Sequence, residues 1–219
     1  MKSAHIAQYI DHTLLKPEAT SEMIERLCQE AKDYHFFSVC IQPIWVKMAA
    51  KLLQGSSVKT CTVIGFPCGA TYSAVKQREA KIARDEGAQE LDMVLQIGAL
   101  KSKDYRLVEQ DIRSVVEAAP KTLVKVILET CLLSNEEKRV ACQITMEAGA
   151  HFVKTSTGFS SSGATVEDVR LMRQTVGPDF GIKASGGIRD AEAAYAMIKA
   201  GATRLGTSSG IAIAAKNRA

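Results

Sequence analysis

The chain has 219 residues, 46% hydrophobic and only 5% aromatic, enough to enclose one full core in an α/β protein rich in small aliphatic side chains. Its net charge of +4 is spread along the sequence with no basic tail or stripe, which excludes the usual footprint of a nucleic-acid binder and suits a small anionic ligand. Met1 to Leu15 carry His5, Asp11 and His12 but no apolar run of signal-peptide or membrane-span length, so the expectation is a cytoplasmic protein without membrane partners.

Short apolar runs that read as strands begin at Ile10 to Thr13. They continue at Phe37 to Ile41, Lys59 to Ile64, Glu90 to Leu95, Leu123 to Leu128, Phe152 to Thr155, Gly181 to Ala184 and Arg204 to Thr207. Helix-start signals lie between them: Ser134 with Glu137 forms a capping box, and Thr165 with Asp168 resembles one. Glu86-Gly87-Ala88, Ala148-Gly149-Ala150 and Ala200-Gly201-Ala202 each close a helical segment and lead into an apolar run. Lys125, Lys154 and Lys183 stand 29 residues apart, the length of one strand–helix unit, so they are expected at equivalent points of successive units. Eight such units predict a closed parallel (β/α)8 barrel, one domain over residues 1–219.

In such a barrel the chemistry gathers at the C-terminal ends of the strands. Asp11, Asp92, Lys125, Lys154 and Lys183 all fall in or at the ends of apolar runs, where a charge is costly unless it is paired or lines a polar cavity. Lys154 precedes Thr155-Ser156-Thr157-Gly158, and Lys183 precedes Ala184-Ser185-Gly186-Gly187; each amine would point into a loop able to hold an anion. Two cations in one cleft repel, so one amine can shed its proton near neutral pH and attack a carbonyl carbon, while the other stays charged.

Ser185-Gly186-Gly187 and Gly206-Thr207-Ser208-Ser209-Gly210 follow the last two strands, where barrels commonly hold phosphate on backbone N–H groups. Gly65-Phe66-Pro67-Cys68-Gly69 reads as loop architecture. The six cysteines (Cys28, Cys40, Cys61, Cys68, Cys131, Cys142) lack Cys-x-x-Cys spacing and the four histidines are scattered, so neither a metal site nor a disulfide frame is expected.

These residues resemble the deoxyribose-phosphate aldolases, in particular the short bacterial form. The resemblance runs through Asp11-His12-Thr13-Leu14-Leu15-Lys16-Pro17, Val63-Ile64-Gly65-Phe66-Pro67, Leu91-Asp92-Met93-Val94, Lys125 to Thr130, the Lys154 and Lys183 segments, and Gly206 to Gly210. It implies reversible cleavage of 2-deoxy-D-ribose 5-phosphate to D-glyceraldehyde 3-phosphate and acetaldehyde, without metal or organic cofactor. By this resemblance Lys154 forms the Schiff base, Asp92 and Lys183 relay protons, and Lys125 tunes the local charge. Thr157, Gly158, Gly186, Gly187, Gly206, Ser208, Ser209, Asp11 and Thr13 would hold the phosphate or neighbouring hydroxyls.

The resemblance further implies a homodimer, and it gives Cys40 a place near the cavity without a catalytic role. The chain departs from it at Gln96, where many relatives have asparagine, and at Thr207, where many have alanine. It also ends at Ala219 without the C-terminal tyrosine of some members, which bears on proton transfer at the enamine carbon. Two alternatives are a Schiff-base aldolase for another sugar phosphate and an inactive sugar-phosphate sensor.

Overall fold

The computed structural model describes residues 6–215, so the calls on His5 and on the end of the chain at Ala219 lie outside the described residues. Eight parallel strands close into a barrel in sequence order: β1 (Ile10–Leu14), β2 (Ser38–Ile41), β3 (Lys59–Ile64), β4 (Glu90–Val94), β5 (Leu123–Ile127), β6 (Phe152–Lys154), β7 (Gly181–Ser185) and β8 (Arg204–Thr207). Each predicted strand is present, with its bounds displaced by no more than one residue at one end.

The helices between and after them are α1 (Ser21–Asp33), α2 (Val46–Leu52), α3 (Ser73–Asp85), α4 (Ile97–Lys101), α5 (Tyr105–Ala118), α6 (Asn135–Glu147), α7 (Val166–Val176), α8 (Ala191–Ala200) and α9 (Gly210–Ala215). None of the described helices is long and apolar enough to cross a membrane.

Local chemistry explains the joints. Gly87, Gly149 and Gly201 adopt φ of 109°, 83° and 119°, a region a β-carbon disfavours, and so turn α3, α6 and α8 into the following strands. At the start of α6, Ser134 Oγ accepts the Glu137 N–H while Glu137 accepts the Ser134 N–H, completing the predicted capping box. Thr165 Oγ1 accepts the Asp168 N–H at 3.0 Å at the start of α7.

Strand side chains alternate between two environments. Val39, Leu91, Met93, Val124, Val126, Val153, Ile182 and Leu205 are buried in one apolar cluster with helix residues such as Ile24, Ala80, Ile112, Ala141, Val169 and Ala194. The intervening positions put Asp11, Asp92, Lys125, Lys154, Lys183 and Arg204 inside the barrel, so its interior is polar where the surrounding shell is aliphatic.

The strand register corrects one expectation. Lys154 lies opposite Lys183, but Lys125 lies opposite Asp92 and Phe152, so only Lys154 and Lys183 are at equivalent levels. The stagger that closes a barrel places Lys125 deeper.

A second polar pair sits in the shell. Lys76 of α3 donates to Asp111 of α5 at 2.6 Å and to the Val94 carbonyl at 2.8 Å, with both ion-pair side chains fully buried. Ser73 Oγ donates to the other Asp111 oxygen at 2.7 Å. Removing one member strands a buried charge, whereas replacing both with apolar groups does not. Lys76→Met should therefore lower unfolding stability by about 3–5 kcal/mol in urea titrations. The Lys76→Met/Asp111→Leu double variant should recover most of that loss.

Candidate active site

Three carboxylates and three cations close a ring inside the barrel. Lys125 Nζ donates to Glu90 Oε2 at 2.5 Å and to Asp92 Oδ1 at 2.9 Å. Lys183 Nζ donates to Asp92 Oδ2 at 2.8 Å and pairs with Asp11 Oδ2 at 2.5 Å. Arg204 Nη1 then joins Asp11 Oδ1 at 2.8 Å to Glu90 Oε2 at 3.1 Å, with its guanidinium 3.4 Å from the centroid of the Phe37 ring. Each member of the ring has two partners of opposite sign.

Lys154 hangs from this ring. Its Nζ donates to Asp92 Oδ2 at 2.7 Å and pairs with no other carboxylate among the described residues. The cluster thus holds four cations against three carboxylates, and the amine with a single partner is the one that also lines the open cavity.

The ring holds Asp92, Asp11 and Lys183 ionised. Burial alone would raise the Asp92 carboxyl, but the ammonium groups of Lys125, Lys154 and Lys183 outweigh it and hold Asp92 well below the usual carboxylate range. Burial likewise opposes ionisation of Asp11, and Lys183 and Arg204 overcome it. For Lys183, burial favours the neutral amine, yet Asp11 and Asp92 push it well above the ordinary lysine value. The expected repulsion between two facing amines takes a different form, because Asp92 Oδ2 accepts from both Lys154 and Lys183. The excess charge belongs to the whole cluster.

Above the ring a cavity of about 420 Å³ opens at the C-terminal ends of the strands. Lys154 forms part of its wall with Thr13, Thr157, Gly158, Gly186, Gly187, Gly206 and Ser208. The N–H groups of Gly158, Gly187 and Ser208 have no partner among the described residues, which leaves them available to an anion. Lys16 and Arg189, not singled out in the sequence, add positive charge to the same wall. Gly206 makes room for a cation: a β-carbon there would lie 2.9 Å from Lys183 Cε.

Two predicted contact residues stand elsewhere. Asp11 is fully buried in the ring, because its β1 position opposite Gly206 of β8 turns the carboxylate toward Lys183 and Arg204. Ser209 does not line the cavity, and its N–H donates to Thr207 Oγ1 at 2.9 Å. The Thr207 hydroxyl donates to the Ile188 carbonyl at 2.7 Å, so Thr207 ties the loops after β7 and β8 together. Gln96 lies away from this wall, donating from Nε2 to the Thr71 carbonyl.

Glu90 and Arg204 are the ring members that reading the sequence missed. Glu90 carried a signal, since it lies two residues before Asp92 and therefore on the same strand face. Cys40 and Cys61 bring their sulfurs within 4.8 Å of each other and of an Asp92 oxygen. The Cys61 thiol donates to Asp92 Oδ1 at 3.3 Å, and both Asp92 oxygens also accept from lysines, an arrangement that already satisfies this cluster. A larger groove of about 860 Å³, lined by Ile44, Phe66, Val75 and Ile82, contains none of the predicted site residues.

Comparison with known proteins agrees with this fold. The family model described as DeoC/LacD family aldolase matches residues 5–216. A deoxyribose-phosphate aldolase from Streptococcus gordonii is 65% identical over 206 residues, covering 94% of each chain. One from Brevibacillus brevis is 63% identical over 206 residues, covering 94% of this chain and 93% of the relative. The tetrameric deoxyribose phosphate aldolase structure from Aeropyrum pernix superposes with a TM-score of 0.92 at 34% identity, covering 99% of this chain and 92% of the other. The chain therefore belongs to the DeoC/LacD family of aldolases.

Proposed function

We propose that this protein cleaves 2-deoxy-D-ribose 5-phosphate reversibly to D-glyceraldehyde 3-phosphate and acetaldehyde through an imine on Lys154. The observation that carries the reading is the Lys154 amine at the cavity wall, held by one carboxylate in a cluster with one cation too many. Loss of a proton from this amine makes the cluster neutral, and the free amine is a nucleophile.

Lys154 Nζ attacks C1 of the open-chain sugar, and the carbinolamine loses water to give an iminium. The iminium draws the electrons of the C2–C3 bond as it breaks, the C3 hydroxyl gives up its proton, and the three-carbon aldehyde leaves. An enamine remains on Lys154; protonation at C2 and hydrolysis release acetaldehyde. Asp92, bonded to Lys154 and Lys183, serves as the proton relay, and Lys183 supplies the adjoining charge. Lys125 keeps Asp92 ionised from the far side.

The phosphate rests against the free N–H groups of Gly187 and Ser208, with Gly186 and Gly206 shaping the loops. Thr13 and Gly158 bound the sugar. The chain acts as one catalytic domain over residues 1–219 in the cytoplasm, a setting in keeping with its free cysteines. It pairs as a homodimer; exposed Ile44, Tyr72, Val75 and Ile82 offer apolar surface for that contact.

Binding energy from the phosphate orients the reacting carbon, so 2-deoxy-D-ribose without phosphate should be cleaved with kcat/KM lower by on the order of a hundredfold. Equal values for the two sugars in a coupled aldehyde assay would contradict the phosphate cradle.

The ring also sets a pH dependence. Lys183→Leu removes one cation and leaves three carboxylates facing three cations, so the charged form of Lys154 now balances the cluster. The acidic limb of imine formation should move upward by about one unit or more. Trapping the imine with borohydride across a pH series measures that limb. An unmoved limb with diminished activity would assign Lys183 to proton transfer alone.

A further inference from the structure

Beyond the ring, one buried carboxylate has no cationic partner among the described residues. Glu129 follows β5, is only 3% exposed, and takes a left-handed backbone conformation with φ of 55° and ψ of 63°. A side chain rarely adopts that conformation without surrounding structure to enforce it. The enforcement comes from the next βα loop. Glu129 accepts the Thr157 N–H at 3.3 Å and also accepts the Thr157 hydroxyl in a short contact. Beside it, the Thr130 N–H donates to the Thr155 carbonyl at 2.9 Å.

This arrangement uses up the Thr157 side chain. Its proton goes to Glu129, and its oxygen accepts the Phe159 N–H at 3.0 Å, closing a turn around Gly158. Gly158 sits at φ of 86° with its N–H unpartnered, on the cavity wall just beyond Lys154. The hydroxyl of Thr157 is thus an internal brace, and the donor that the loop offers to a ligand is the Gly158 amide.

We infer that Glu129 is a positioning residue for the aldol reaction: through the Thr157 hydroxyl it fixes the turn that presents the Gly158 N–H to the hydroxyl or phosphate end of the sugar. The inference rests on the aldolase reading and deepens it. It concerns the distal part of the substrate, because Lys154 makes its own contacts to Asp92 without Glu129.

Glu129→Gln keeps the side-chain size but removes the charge that strengthens both Thr157 contacts and puts an NH2 donor in place of one of the two acceptor oxygens. KM for 2-deoxy-D-ribose 5-phosphate should rise about tenfold, as for loss of a well-placed hydrogen bond. The rate of borohydride trapping by acetaldehyde at Lys154 should stay within about twofold, since two carbons need no contact with the loop.

Thr157→Val removes the same brace from the other side. It should raise KM similarly, and the double variant should be no worse than either single change. Unchanged KM in Glu129→Gln, additive effects in the double variant, or acetaldehyde trapping that falls as much as KM rises would each overturn the inference alone. Absence of any acetaldehyde adduct on the unaltered protein would overturn the aldolase reading and this inference with it.

Discussion

The closed circuit of charge inside the barrel is the constraint on which the site depends. Ionised groups cannot be taken out of water singly, and Asp11, Asp92, Glu90, Lys125, Lys183 and Arg204 avoid that penalty because each touches two opposite charges. Within the ring three cations balance three carboxylates. Lys154 therefore joins as an excess cation, tethered only through Asp92. Reactivity follows from arithmetic over the cluster more than from any single neighbour.

The barrel makes such a ring possible. Along each of the parallel strands the side chains alternate, so every second one turns inward, and register brings Asp92 beside Lys125, Lys154 beside Lys183, and Lys183 beside Arg204. Small residues give these long side chains space, as Gly206 does for Lys183. The loops at the strand ends then fasten to one another: Thr155 Oγ1 donates to the Ser185 carbonyl, Ser185 Oγ donates to the Ser156 carbonyl, and Thr207 bridges to Ile188. The N–H groups of Gly158, Gly187 and Ser208, on the cavity wall, are left without a partner among the described residues. Rigid loops around a polar floor suit a reaction in which the substrate must be held by its remote phosphate while the imine forms below.

The strands and the two strand-end lysines were legible in the sequence because each is a local pattern: an apolar run closed by glycine and hydroxylic residues. Lys154 with its Thr-Ser-Thr-Gly loop is the clearest instance. What spacing could not convey was depth. Lys125 shares the 29-residue interval with Lys154 but lies opposite Phe152, because barrel closure staggers neighbouring strands. Asp11 looked like a cavity residue and proved to be a ring member, since its partners Lys183 and Arg204 stand on the far end of the chain. Glu90 and Arg204 lie at strand beginnings, where a charge usually reaches solvent. Glu129 lies within the Lys125 to Thr130 segment but carries no local signal of a role; its partner Thr157 is 28 residues away, a contact that no local periodicity reveals.

The account stands most directly on which amine condenses with an aldehyde. Incubation with acetaldehyde and borohydride, followed by peptide mass spectrometry, should leave a two-carbon adduct on Lys154 and on neither Lys125 nor Lys183, because each of those is clamped between two carboxylates. An adduct on Lys183 or Lys125 would contradict the ring as the determinant of reactivity.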